Sequence, residues 1–217
     1  MDLGHLDEAG FALTLPLSYS WSLVGQRLTI PYEAPRGRRV HALGLYFSHG
    51  PLAGKFSSVT FAQLPQRRGK RPRKSLAEDA AAHGVTVEEV GRIDSEVLLA
   101  FVWMVAGRPP DAPAGWRRER PLVIVLDNYT VHTSARVKAE LPALAAANIT
   151  FFYLPAYAPE LSRIEPIWHD VKYYELTERS YAQVGDLKRA VDTALARKAI
   201  RLREAQQEST HLLLPPA

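Results

Sequence analysis

Two carboxylates stand where a folded chain could put them to chemical use. Asp127 closes the run PLVIVLDN, residues 121–128, whose aliphatic and β-branched residues suit a strand buried on both faces. Glu165 lies further on, within ELSRIEPIWHDVK, residues 160–172. A carboxylate held on a rigid element at the edge of a core can bind a hard divalent cation or exchange a proton with a reacting group. The chain has no cysteine, which excludes disulfides and thiolate metal sites and leaves oxygen and imidazole as the available ligands.

The elements that must position these acids follow from the spacing of apolar residues. After Asp127, Val137, Leu141 and Leu144 recur at helical spacing, with Ser134 as the N-cap. Ile149 to Leu154 predicts a second buried strand, and a loop from Pro155 to Pro159 leads to a short helix carrying Glu165. Ser162 to Glu165 also fits a capping box. In that register, however, Pro166 would fall at the fourth helical position, where it crowds the Ser162 carbonyl. A start at Arg163 or Ile164 puts the proline in the first turn, where it is tolerated. Ile164, Trp168 and Val171 then face a core, while Glu165, His169 and Lys172 form a polar stripe. This is strand–helix–strand–helix, and parallel strands present functional groups at their carboxyl ends.

Upstream, residues 3–15, Gln26 to Pro31 and Arg39 to Phe47 predict a three-stranded antiparallel meander, with Asp7 near the start of the first strand. Residues 48–92 fit no core element. Within them PQRRGKRPRKS gathers Arg67, Arg68, Lys70, Arg71, Arg73 and Lys74 with no acid. That run suits a solvated loop, a DNA phosphate contact that orders on binding, or both. Ser75 to Gly91 predicts one or two short helices. Asp94 caps a helix with the stripe Val97, Leu98, Phe101, Val102 and Val105, and Gln183 to Glu204 predicts a last amphipathic helix with one basic face.

DNYTVH, residues 127–132, followed by LPAYAPELSRIEPIW, residues 154–168, resembles the signature of DDE transposases. The resemblance is closest to the bacterial insertion-sequence branch related to the mariner group. Asp127, Asn128, His132, Leu154, Pro155, Tyr157, Pro159, Leu161, Ile164, Glu165 and Trp168 fall in matching places. Ala158, Ser162 and Arg163 depart from it, where the family carries Ser, Asn and Pro. DEAGF at Asp7 to Phe11, with Trp21 beyond, matches the opening of the family's catalytic domain. The resemblance therefore implies Asp7, Asp127 and Glu165 as catalytic acids and ligands of two Mg²⁺ or Mn²⁺ ions. It places His132 close to the metal site, as a contact to substrate phosphate; Asn128 beside Asp127 is expected to orient that acid, and His169 and Lys172, on the helix stripe of Glu165, are further candidates for support or substrate contact. It also implies a ribonuclease H-like α/β fold, which the order of elements fits: a mixed five-stranded sheet flanked by helices, with an insertion after the third strand. Residues 1–205 would form that domain, with 48–92 as a basic insertion and 206–217 as a tail.

The implied function is phosphodiester cleavage and strand transfer at insertion-sequence ends. Two other readings use the same residues: a non-catalytic, transposase-derived DNA-binding or assembly protein, and a ribonuclease H-like nuclease without strand transfer. A net charge of +4 and a pI near 9.4 permit a nucleic-acid partner without requiring one. No apolar run is long enough to span a bilayer and no signal peptide is legible, so the expected setting is the cytoplasm, at the nucleoid when DNA is bound. Expected partners are element ends and target DNA, and further copies of the chain in the DNA complex. The family usually carries helix-turn-helix units ahead of its first catalytic acid. Asp7 stands close behind Met1, so such a unit is expected on a separate domain or chain.

Overall fold

The computed structural model describes residues 1–15, 22–26, 38–65, 75–155, 158–178 and 180–213, with only the backbone of Pro159 and of 210–213. Its centre is β1 (Asp2–Ala12). On one side β1 pairs antiparallel with β2 (Arg39–His49), which pairs antiparallel with β3 (Phe56–Gln63). On the other side it pairs parallel with β4 (Leu122–Leu126), and β4 pairs parallel with β5 (Ile149–Tyr153). The order across the mixed sheet is β3-β2-β1-β4-β5.

Both faces are covered, because alternate strand residues are apolar on each. Ala9, Phe11, Val40 and Ala42 meet α4 (Glu165–Asp170), the π-helical turn Val171–Glu175 and α5 (Val184–Leu213) through Trp168, Val171, Leu187 and Val191. Leu6, Leu43, Leu45, Leu122, Ile124 and Leu126 meet α2 (Ser95–Val105) and α3 (Ala135–Ala146) through Leu98, Phe101, Val102, Val137 and Leu144. Each such Leu, Val or Phe contributes about 1.5–3 kcal/mol when fully buried. The helix starts follow their caps. Asp94 accepts hydrogen bonds from the Glu96 and Val97 N–H groups, and Ser134 accepts one from Val137. α1 (Leu76–Ala82) begins with a reciprocal capping box between Ser75 and Glu78.

The expected meander is corrected in one respect. β2 pairs directly with β1, so Arg39 to Phe47 belongs to the second strand of the meander and not the third. Gln26 follows a turn, and residues 27–37 lie outside the described residues. The third strand is instead β3, within the stretch 48–92 that showed no core pattern. Its sequence FSSVTFAQ buries only Phe56 and Ala62 fully. It is an edge strand flanked by α5, so polar Ser57, Ser58 and Thr60 are tolerated there and blur the alternation. The helix α5 runs on through residue 205 to Leu213. No helix among the described residues is long and apolar enough to cross a membrane.

Candidate active site

The parallel pair β1 and β4 sets His5 beside Val125. Continuing that register brings Asp7, in the middle of β1, level with Asp127, which directly follows the end of β4. The third acid comes from α4, whose inward residues Ile164, Ile167 and Trp168 are buried. α4 begins at Glu165 with Pro166 in its first turn, as the proline requires. One hydrogen bond holds that helix start against β1, and a second steadies its acceptor from β2. The Arg163 backbone N–H donates to His5 Nδ1 at 3.3 Å, while His5 Nε2 meets Ser48 Oγ at 3.0 Å. The Trp168 ring lies over Gly44, the residue paired with Asp7 across β1 and β2. A Cβ at position 44 would stand 2.7 Å from that ring, so only glycine admits the indole there.

Asp7, Asp127 and Glu165 line one cavity of about 370 Å³, with Asn128, Tyr129, Leu154, Pro155, Ala158 and Ser162. A second cavity of about 470 Å³ shares Asp7, Asp127 and Tyr129 and adds Glu8, His41, Gln63, Arg92 and Ile93. Asp7 and Asp127 thus lie between two openings, at the carboxyl end of β4 and beside the middle of β1. Burial pushes the Asp7 carboxyl up to about 7, and the charges of Glu165, Glu8 and Asp127 add to the rise against one backbone hydrogen bond that opposes it. A half-buried carboxylate among other carboxylates is an environment that a cation relieves. Among the described residues no three His, Cys, Asp or Glu side chains are placed to hold a single ion. Mg²⁺ needs only one or two carboxylates, with water and substrate oxygens completing its shell. The oxygen-only donor set fits such an ion.

The supporting residues divide. His132 is fully buried. Its Nδ1 lies 2.8 Å from Asp127 Oδ1 and its Nε2 3.1 Å from Glu8 Oε1. Burial by itself lowers the His132 pKa, but the Glu8 hydrogen bond and the charges of Glu8 and Asp127 outweigh it and raise the pKa. The ring is enclosed between two acids and contacts the site from behind. Asp127 Oδ1 also accepts the Tyr129 N–H at 2.9 Å. Asn128 donates from Nδ2 to the Leu154 carbonyl at 2.7 Å, tying the end of β4 to the end of β5. His169 and Lys172 do not line the acid cavity. His169 packs against Tyr173 at 4.5 Å between ring centroids, and Lys172 lies over the Phe11 ring. Arg67, Arg68, Lys70, Arg71, Arg73 and Lys74 lie outside the described residues, as do Trp21 and Tyr157.

Sequence reasoning missed Glu8, His5 and Gly44. Glu8 adjoins Asp7, which drew the attention, and its partner is far away in the chain. The signal for Gly44 was a glycine inside the apolar run RRVHALGLYF, which marks a close approach of another element.

A family model described as DDE superfamily endonuclease matches residues 65–188. No curated protein matches the sequence. Among solved structures, the Mos1 mariner paired end complex with Mn is 14% identical with a TM-score of 0.52, covering 93% of this chain and 52% of that chain. A pre-cleavage Mos1 transpososome is 12% identical with a TM-score of 0.51, covering 95% and 54%. The chain therefore spans about half the length of the solved chains it matches. At that identity the likeness concerns the fold, which is ribonuclease H-like.

Proposed function

The chain belongs to the DDE superfamily endonucleases, and from that premise we propose that it is the catalytic domain of a transposase, cutting and joining DNA at insertion-sequence ends. The observation that carries this reading is the cavity shared by Asp7, Asp127 and Glu165, three acids from distant stretches of chain. In this reading all three hold a pair of Mg²⁺ or Mn²⁺ ions. Bound there, the ions lower the pKa of an attacking hydroxyl and neutralise charge on the leaving oxygen. The chain's own part is to fix the acids. β1 and β4 hold Asp7 and Asp127 side by side, the Tyr129 N–H and His132 fix Asp127 Oδ1, and α4 sets Glu165. No side chain serves as nucleophile. In cleavage, water attacks phosphorus, the P–O3′ bond breaks, and a 3′-hydroxyl and a 5′-phosphate result. In joining, that 3′-hydroxyl attacks a phosphodiester of the target and displaces its 3′-oxygen.

The similar solved structures are a paired end complex and a transpososome. An assembly of that kind, with DNA ends and more than one copy of the chain, is the working state in this proposal. Recognition of the ends is assigned to a helix-turn-helix unit, on this polypeptide or another. The basic run from Arg67 to Lys74 contributes phosphate contacts without sequence preference.

The test is cleavage of DNA carrying the element's ends. It should require Mg²⁺ or Mn²⁺, and Asp127→Ala should abolish it while the melting temperature stays within a few degrees. Undiminished metal-dependent cleavage by that variant would remove the assignment.

A further inference from the structure

We propose that Glu8 is a positioning residue that acts through His132 on Asp127, so that one face of the sheet sets the acid used on the other. The inference rests on the catalytic reading of Asp127 and extends it. Asp7 and Glu8 are consecutive on β1, and consecutive strand residues point to opposite faces. Asp7 lies on the face covered by α4. Glu8 lies on the other, where it reaches His132 Nε2 at 3.1 Å. His132 is held independently of its ring, because Tyr153 donates from its hydroxyl to the His132 carbonyl at 3.0 Å. The ring can then only pivot, and Glu8 fixes the pivot. Its Nδ1 is delivered to Asp127 Oδ1 at 2.8 Å, an oxygen that also takes the Tyr129 N–H. Oδ1 is thus bonded twice by the protein, and Oδ2 is the oxygen left for an ion. Asp127 is a strand-end side chain that is 58% exposed, and without this hold the Tyr129 N–H is, among the described residues, the one protein group still bonded to Oδ1. Such carboxylate–histidine supports behind a ligand change metal affinity by about 10–100-fold when removed.

The experiment measures Mn²⁺ binding to the full chain from the loss of the free-ion EPR signal, alongside Mn²⁺-dependent nicking of supercoiled plasmid. Glu8→Gln keeps an oxygen acceptor at the same reach and should stay within about threefold of wild type in Mn²⁺ affinity. Glu8→Ala loses the acceptor and Glu8→Asp withdraws it by one methylene. Both should weaken Mn²⁺ binding by about 10–100-fold, leave KM for DNA unchanged, and recover nicking at saturating Mn²⁺. If Glu8→Ala fails to fold, Glu8→Asp decides, since it keeps the charge. Wild-type Mn²⁺ affinity in the shortened variant overturns the proposal. So does a Glu8→Gln that loses binding as completely as Asp127→Ala, because Glu8 would then be a ligand itself. Unchanged Mn²⁺ binding by Asp127→Ala removes the acid site, and this proposal with it, whatever the Glu8 variants do.

Discussion

Asp7 is a carboxyl group whose ionisation is opposed first by burial and then by the charges of Glu165, Glu8 and Asp127, which place its pKa at about 7. The ordinary value of 3.8 applies to the unfolded chain. Between those limits the folded chain binds the proton that the unfolded chain has lost, so this group's contribution to stability is complete below pH 4 and is gone above pH 7. His5 works in the opposite sense. Burial, then Arg163, lowers its pKa from 6.5 to about 4, so its contribution is complete above 6.5 and falls away toward 4. The two trends overlap in one pH window, and the total stability curve would hide both. Asp7→Asn isolates the first. In EDTA, urea midpoints should show Asp7→Asn gaining on wild type from pH 4 to 7 and holding a constant lead above that. Adding Mg²⁺ at pH 8 should raise the wild-type midpoint and leave that of Asp7→Asn nearly unmoved. A constant difference across the pH range would show that Asp7 is not strained by its neighbours. The places of Asp127 and Glu165 were legible before any coordinates, because one ended an apolar run and the other stood at a proline-marked helix start. Glu8 and His5 were not, since their roles depend on His132 and Arg163, residues far along the chain that only folding brings near.

Elements carry the site through their packing, and the joint between β2 and α4 is the tightest part of it. At Gly44 an added Cβ meets the six-membered part of the Trp168 indole at 2.7 and 2.8 Å and Phe56 at 3.0 Å. Phe56 and Trp168 are themselves packed edge to face, with centroids 5.7 Å apart, so neither ring has room to retreat. Gly44→Ala should therefore cost about 1–3 kcal/mol by overpacking. Because Trp168 and Glu165 share one short helix, it should also reduce cleavage by more than the loss of folded protein explains. Trp168→Phe removes the atoms that clash, so the double variant should recover part of both losses. Strictly additive urea midpoints in that double-mutant cycle would show that the two residues do not set α4 together. The helices and the parallel strands could be read from sequence because their apolar period and their Asp94 and Ser134 caps agree. β3 could not, because flanking by α5 lets an edge strand keep serines and threonine where a central strand would need apolar side chains.

At the scale of the whole molecule, the proposed DNA contact depends on which positive charge the fold leaves uncancelled. Helix α5 looked basic in sequence, but most of that charge is paired within the fold. Lys188 meets Glu89 and Asp192, Arg189 meets Asp186, Lys198 meets Asp170 and Arg201 meets Glu175. Only the Arg189 pair is exposed on both sides and contributes little to stability, whereas Lys188 and Glu175 are buried in theirs; all four cancel part of the field a polyanion would feel. The run from Arg67 to Lys74 has six basic residues and no acid within it, so its charge is not cancelled locally. Each phosphate neutralised on duplex DNA adds about 0.9 to the slope of log affinity against log salt concentration. Replacing Arg67, Arg68, Lys70, Arg71, Arg73 and Lys74 with Gln should flatten that slope by about 3–5 on a duplex of any sequence. Replacing Lys188, Arg189, Lys198 and Arg201 with Gln should change it by less than about 1, and should instead lower the melting temperature, because Glu175 is left buried without its partner charge. The comparison is made by fluorescence anisotropy over a salt series, with duplexes of matched length and scrambled sequence. A slope that survives loss of the Arg67–Lys74 charges but collapses with the α5 variant would move the proposed DNA contact from residues 67–74 to the face of α5.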